Sequence, residues 1–157
     1  MCCYPSDFEA KFRTLLADRA DAFFQSLAQP SVQGLRVNLC KTSANAFLAH
    51  SGLSLTSVPW CAEGFYVENP AQRPGKHPYH EAGVYYLQDP SAMAPVTLLA
   101  PREGDRVLDL CAAPGGKSTQ IAALIGADGF LLANEIHPQR SRQLSQNIER
   151  MGFANTI

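Results

Sequence analysis

Asp109, Cys111, Gly115, Gly116, Lys117 and Ser118, with Glu135 further on, are the residues of this chain whose types and spacing could do chemistry. Two adjacent glycines let a backbone approach a ligand closely, and the first N–H groups of a helix that follows them are donors without partners. The elements around them suit that use. An apolar strand pattern through Val107, Leu108 and Leu110 breaks into the small loop, and Ile121, Ala122, Leu124 and Ile125 resume at helical spacing. The reading is strand, tight loop, helix: a candidate ligand cradle at the carboxyl end of a strand in an α/β sheet.

The loop excludes two common ligand classes. A phosphate-binding loop needs a glycine five residues before the Gly of Gly-Lys-Ser, and that position is Cys111. A dinucleotide fingerprint needs three spaced glycines, and only Gly115 and Gly116 are present. A second apolar strand, residues 130–135, is closed by an acidic residue, Glu135, twenty residues after Gly115. A carboxylate there can accept hydrogen bonds from both hydroxyls of an adenosine ribose.

Residues 109–118, Asp-Leu-Cys-Ala-Ala-Pro-Gly-Gly-Lys-Ser, followed by Asn134, Glu135, Arg140, Leu144, Asn147, Arg150 and Gly152, resemble the Nol/Nop/Sun family of RNA cytosine-5 methyltransferases. The upstream runs 83–93 and 35–38 (Leu-Arg-Val-Asn) are similar to that family too, most closely to its bacterial RsmF-type ribosomal RNA branch, N-terminal portion. The resemblance implies an α/β chain: a small α+β N-terminal domain over residues 1–87 that contacts RNA, then the truncated first part of a Rossmann-like class I methyltransferase domain over 88–157. It implies S-adenosylmethionine as cofactor and RNA, ribosomal RNA above all, as partner. By position, the backbone of Cys111, Ala112, Ala113, Pro114, Gly115 and Gly116 wraps the methionine and ribose portion, Lys117 lies at the same loop, and Glu135 holds the ribose hydroxyls. Asp109 braces the loop, and Arg140 is either a helix-surface charge or half of a fixed ion pair.

Methylating cytosine C5 requires a thiolate to add at C6, since C5 is otherwise a poor nucleophile, and a base to remove the C5 proton afterwards. The resemblance places two cysteines in that work, one in a Pro-Cys context, and no Pro-Cys or Thr-Cys dipeptide occurs here. The catalytic residues are thus expected beyond Ile157, with Cys111 a small, packed cradle residue. The rival reading is a non-catalytic RNA-binding or cofactor-binding module on the same fold. Two strands of a parallel sheet leave apolar surface open, so the isolated chain is expected to aggregate or need a partner.

Composition sets the frame. At 46% hydrophobic and net charge −1, the chain is globular, and charge announces no nucleic-acid partner. Five cysteines without a Cys-x-x-Cys pair, and no secretory apolar segment, point to a reducing cytoplasm. No apolar run approaches the ~20 residues that span a bilayer.

Elsewhere the pattern predicts a capping box at Ser6 to Glu9 opening a helix with Phe8, Phe12, Leu15 and Leu16 on one face, then a second helix capped by Asp18 with Ala22, Phe23 and Leu27 inward. Strands are expected over 34–39, 53–58, 64–67 and 83–88, with a short helix after Thr42 or Ser43 that Gly52 stops. Residues 69–79 read as a proline-rich loop, in which His77 and His80 lack a third partner for a metal. Ser91 is placed to cap the next helix. Pro138 opens and Gly152 closes the last one, and residues 155–157 begin a third strand.

Overall fold

The computed structural model describes residues 4–157; Cys2 and Cys3 lie outside them. Compactness divides the chain at Ser31–Val32.

In the first unit, α1 (Ser6–Leu16) and α2 (Ala20–Leu27) are separated by a 3-10 turn, Ala17–Arg19. The expected capping box does not form. The helix begins a residue earlier, after Pro5, so Ser6 is already helical and its hydroxyl caps nothing. Asp18 falls inside the 3-10 turn and caps nothing either. The two helices meet through aromatic rings, Phe12 stacking on Phe23 at 4.9 Å and Phe8 meeting Phe24 edge-on at 6.2 Å. Leu15 and Ala22 face solvent instead of the interior, and Leu27 is 42% exposed.

The second unit holds two sheets. β1 (Gly34–Val37), β2 (Leu55–Ser57), β3 (Gly64–Val67) and β4 (Tyr85–Leu87) form an antiparallel sheet in the order β2-β3-β1-β4. Successive strand residues point to opposite faces. Leu35 and Val37 enter an apolar core with Phe47, Phe65, Val67 and Tyr85, whereas Arg36 and Asn38, also buried, bond with groups outside it. Helix α3 (Ala44–His50) is capped by Ser43, whose hydroxyl accepts from the Ala46 N–H.

The proline-rich stretch is more ordered than a loop. Pro70–Gln72 and Pro74–Lys76 are 3-10 turns, and α4 (Pro78–Glu81) is a one-turn helix capped by His77. Proline sits at the first position of each, where no N–H is needed and its φ suits the turn. No group of three or more His, Cys, Asp or Glu able to hold a metal occurs among the described residues.

α5 (Pro90–Leu99) follows β4, capped by Asp89 and not by Ser91: the carboxylate accepts from the Ser91 N–H at 2.8 Å and from its hydroxyl at 2.6 Å. Pro90 occupies the first helical position, which moves the cap one residue back from the proline.

β5 (Arg106–Asp109) and β6 (Phe130–Ala133) pair in parallel, from Arg106 opposite Phe130 to Asp109 opposite Ala133. Between them runs α6 (Gly116–Ile125), and after them α7 (Pro138–Met151) ends at Gly152 with φ +83°. Residues 155–157 continue the sheet on the far edge of β6, Ile157 N–H donating to Leu131 at 3.0 Å. Ile121, Ala122, Ile125 and Leu131 bury one face of this sheet. On the strands, Leu108 (55%) and Leu132 (46%) remain exposed. No helix among the described residues is long and apolar enough to cross a membrane.

Candidate donor-binding site

The strand–loop–helix unit forms as the spacing predicts. β5 ends at Asp109, the loop turns through a cis Ala113–Pro114 peptide, and Gly115 at φ +113° delivers the chain to α6. Asp109 braces the turn. One carboxylate oxygen accepts the Cys111 N–H at 3.2 Å and the other the Ser118 hydroxyl at 2.8 Å.

The loop's carbonyls from Ala112 to Gly116 are turned onto protein donors. Ala112 O accepts from the Ser118 hydroxyl at 3.2 Å, Ala113 O from Arg140 at 2.8 Å, and Pro114 O from Asn147 at 2.8 Å and the Tyr86 hydroxyl at 3.3 Å. Gly115 O accepts the Thr119 N–H at 2.8 Å, and Gly116 O accepts from Arg36 at 2.6 Å. With the carbonyls occupied, what the loop and the first turn of α6 have left to offer is N–H groups, the arrangement that receives an anionic or oxygen-rich ligand.

A cavity of about 220 Å³ adjoins the loop, lined by Ala112, Ala113, Pro114, Gly116 and Lys117 on one side and by Tyr86, Gln88 and Asp89 on the other. A larger open groove, about 540 Å³, lies across the same Leu87 to Asp89 segment between Gln33, Arg73 and Pro74. Of the two, the smaller is the candidate site, because it is walled by the glycine loop and the first residues of α6.

Glu135 stands beyond the end of β6 with its side chain only 4% exposed. One oxygen accepts the His137 N–H at 3.0 Å and the other pairs with Arg140 at 3.3 Å. The His137 N–H first, and Arg140 after it, hold the carboxylate below its ordinary 4.5, so it is charged at neutral pH. Arg140 is therefore the half of a fixed ion pair, tying Glu135 to the Ala113 carbonyl. Each Glu135 oxygen keeps a lone pair for a further donor.

Cys111 is exposed, not packed. Its N–H is spent on Asp109, and its side chain is not among the groups lining the cavity. Lys117 is exposed at the second position of α6 and does line it.

Sequence reasoning assigned no role to Arg36, Tyr86, Gln88 or Thr119, which link the loop and the start of α6 to β1 and the end of β4. Arg36 donates to Thr119 at 2.8 Å and to Gln88, and lies over the Tyr86 ring at 5.7 Å. The signal available was an arginine alternating with Leu35 and Val37 in an otherwise apolar strand.

A side chain at position 115 is the simplest probe of the loop. A Cβ there would approach Leu144 Cδ1 to 3.2 Å at a φ that L-residues rarely adopt. Gly115→Ala is expected to destabilise the chain by about 1–3 kcal/mol, measured as a shift in the urea midpoint at constant slope.

Residues 4–90 match the N-terminal domain of 16S rRNA methyltransferase RsmF, and residues 96–157 match the 16S rRNA methyltransferase RsmB/F family. A ribosomal RNA small subunit methyltransferase F from Enterobacter sp. (strain 638) is 40% identical, over 97% of this chain and 34% of its own length. The chain thus spans about a third of the curated relatives it matches. Among solved structures, a methyltransferase homologue from Pyrococcus horikoshii is 31% identical with a TM-score of 0.86, over 98% of this chain and 52% of that one. NSun6 from the same organism, solved with SFG, shares the fold at a TM-score of 0.84 and 20% identity, over 98% of this chain and 64% of its own. A glycine loop closed by Asp109, an acid beyond the next strand and two family matches that together run along almost the whole chain lead to one conclusion: the chain belongs to the RsmB/F family of 16S rRNA methyltransferases.

Proposed function

We propose that this chain supplies the donor-binding start of an S-adenosylmethionine-dependent RNA cytosine-5 methyltransferase acting on ribosomal RNA in the cytoplasm. The observation that carries the reading is the loop's hydrogen bonding, in which every carbonyl from Ala112 to Gly116 is held by the protein. When bound, S-adenosylmethionine supplies a methyl group on a sulfonium sulfur. The residues present fit it: the backbone of 111–116 follows the methionine and ribose portion, and Glu135 accepts from the ribose hydroxyls. Of these residues Ala112, Ala113, Pro114 and Gly116 line the cavity together with Lys117, and Glu135 stands outside its lining. Asp109 and Arg140 hold the loop in place from below.

In this reading residues 1–87 contact RNA and residues 88–157 bind the donor, a division supported by the changeover between family matches after residue 90. The rival is a cofactor-binding or RNA-binding module without chemistry.

Calorimetry tests the donor assignment. Wild-type chain should bind S-adenosylmethionine in preference to ATP, and Glu135→Ala should weaken that binding roughly tenfold or more through lost charge-assisted hydrogen bonds. Equal binding of ATP would restore a phosphate-loop reading, and an unchanged affinity in Glu135→Ala would remove that residue from the site. Because Glu135 titrates below its ordinary value, binding should hold steady above about pH 5 and fall only as the pH drops through the depressed value.

A further inference from the structure

Arg36 is a buried cation without an anionic partner in contact. It is 1% exposed, and none of the ion pairs among the described residues includes it. Its guanidinium donates to the Gly116 carbonyl at 2.6 Å, the Thr119 hydroxyl at 2.8 Å and the Gln88 side-chain oxygen, all neutral acceptors. Burial lowers its pKa to about 10, which leaves it charged at neutral pH.

The position of that charge is unfavourable for the chain alone. Gly116 is the first residue of α6, the end at which the helix dipole is already positive. Two positive sources set side by side in a dry wall oppose folding, and the Glu63 carboxylate, which acts on Arg36 without touching it, offsets them only in part, since the Arg36 pKa stays below its ordinary value. Gly116, Gln88 and Tyr86, which Arg36 contacts from behind, are also walls of the 220 Å³ cavity. Arg36 and the start of α6 thus set two positive sources at the wall of that cavity, whose lining also includes Asp89.

Resting on the donor-binding reading above, we infer that Arg36 is a positioning residue that selects the carboxylate of the methyl donor. It keeps the Gly116 carbonyl turned away from the cavity and adds its field to the N–H groups at the start of α6. A ligand with a carboxylate gains from both effects, and one that lacks it gains from neither.

The test compares S-adenosylmethionine with decarboxylated S-adenosylmethionine, which keeps the sulfonium, the amine and the nucleoside. Wild-type chain should prefer the carboxylate form. Arg36→Met should weaken S-adenosylmethionine on the order of tenfold, the scale of one partly screened charge, and leave the decarboxylated ligand within about twofold. Arg36→Lys, which keeps the charge, should recover most of the preference, and it carries the comparison if Arg36→Met fails to fold. Equal losses for both ligands would reduce Arg36 to a scaffold residue and overturn the inference, as would a preference unchanged in Arg36→Met. If wild-type chain bound neither ligand, the donor-binding reading itself would fall, an outcome separate from a wild-type chain that binds both alike and so removes only the role of Arg36.

Discussion

Incubated with tritiated S-adenosylmethionine and ribosomal RNA, the 157-residue chain should transfer no label. The cytosine-5 transfer proposed above needs a thiolate at C6 of the target base, since binding the donor correctly does not supply the missing electron density at C5. The described cysteines do not offer one at the cavity. Cys61 is buried, and burial, helped by Glu63, pushes its thiol up to about 11, leaving almost no thiolate at neutral pH. Cys40 lines a different cavity, with Gly152 and Phe153. Cys111 belongs to the loop, yet its side chain is outside the cavity lining. An RNA carrying 5-fluorocytosine should accordingly form no covalent adduct. Adding the remaining two thirds of a curated relative as a separate polypeptide should create both signals if this chain is part of an enzyme, and neither if it is a binding module. A Cys111-dependent adduct from the 157-residue chain alone would show that its thiol does reach a bound base.

Phe47→Ala is expected to cost about 3–5 kcal/mol, the range for emptying a buried aromatic site, against a total stability of about 5–15 kcal/mol for an ordinary domain. Phe47 is 2% exposed and packs edge-on against Tyr85 at 5.4 Å, with Leu35, Val37, Phe65 and Val67 in the same core. It is also the only residue of α3 that is fully buried. A helix of seven residues has little stability of its own, so truncating that one anchor should release α3 along with the contact. Urea denaturation should show a large fall in midpoint, and far-ultraviolet circular dichroism a loss of helix at low denaturant. A cost below about 1 kcal/mol would mean that the core refills around the vacancy.

The site was legible where its signals are local. Gly115 and Gly116 mark the turn, β6 occupies the first four of the six residues expected and stops at Ala133, and α7 runs between its proline and its glycine, because φ preferences and apolar periodicity act within a few residues. Capping was less legible. At Ser91 a plausible cap gave way to Asp89 one residue before a proline, and at Ser6 the helix simply started earlier. The prolines of residues 69–79 suggested loop, although a proline at the first position of a short turn supports helical geometry. The side chains behind the cradle were not legible at all. Arg36 meets Gly116 only through the packing of two sheets, and nothing within its own strand reveals that partner.

The alternation along β1 also orders events in time. Arg36 and the Gly116 carbonyl it holds are 80 residues apart, and synthesis at about 5–20 residues per second separates their appearance by about 4–16 s. During that interval β1 can pair with β3 and β4 and sequester Leu35 and Val37, while the guanidinium stays hydrated on the opposite face. The glycine loop then emerges onto a surface already bearing its holder. A nascent chain stalled before residue 106 should therefore keep Arg36 open to solvent and to arginine-directed reagents, and release of the remaining residues should close that window.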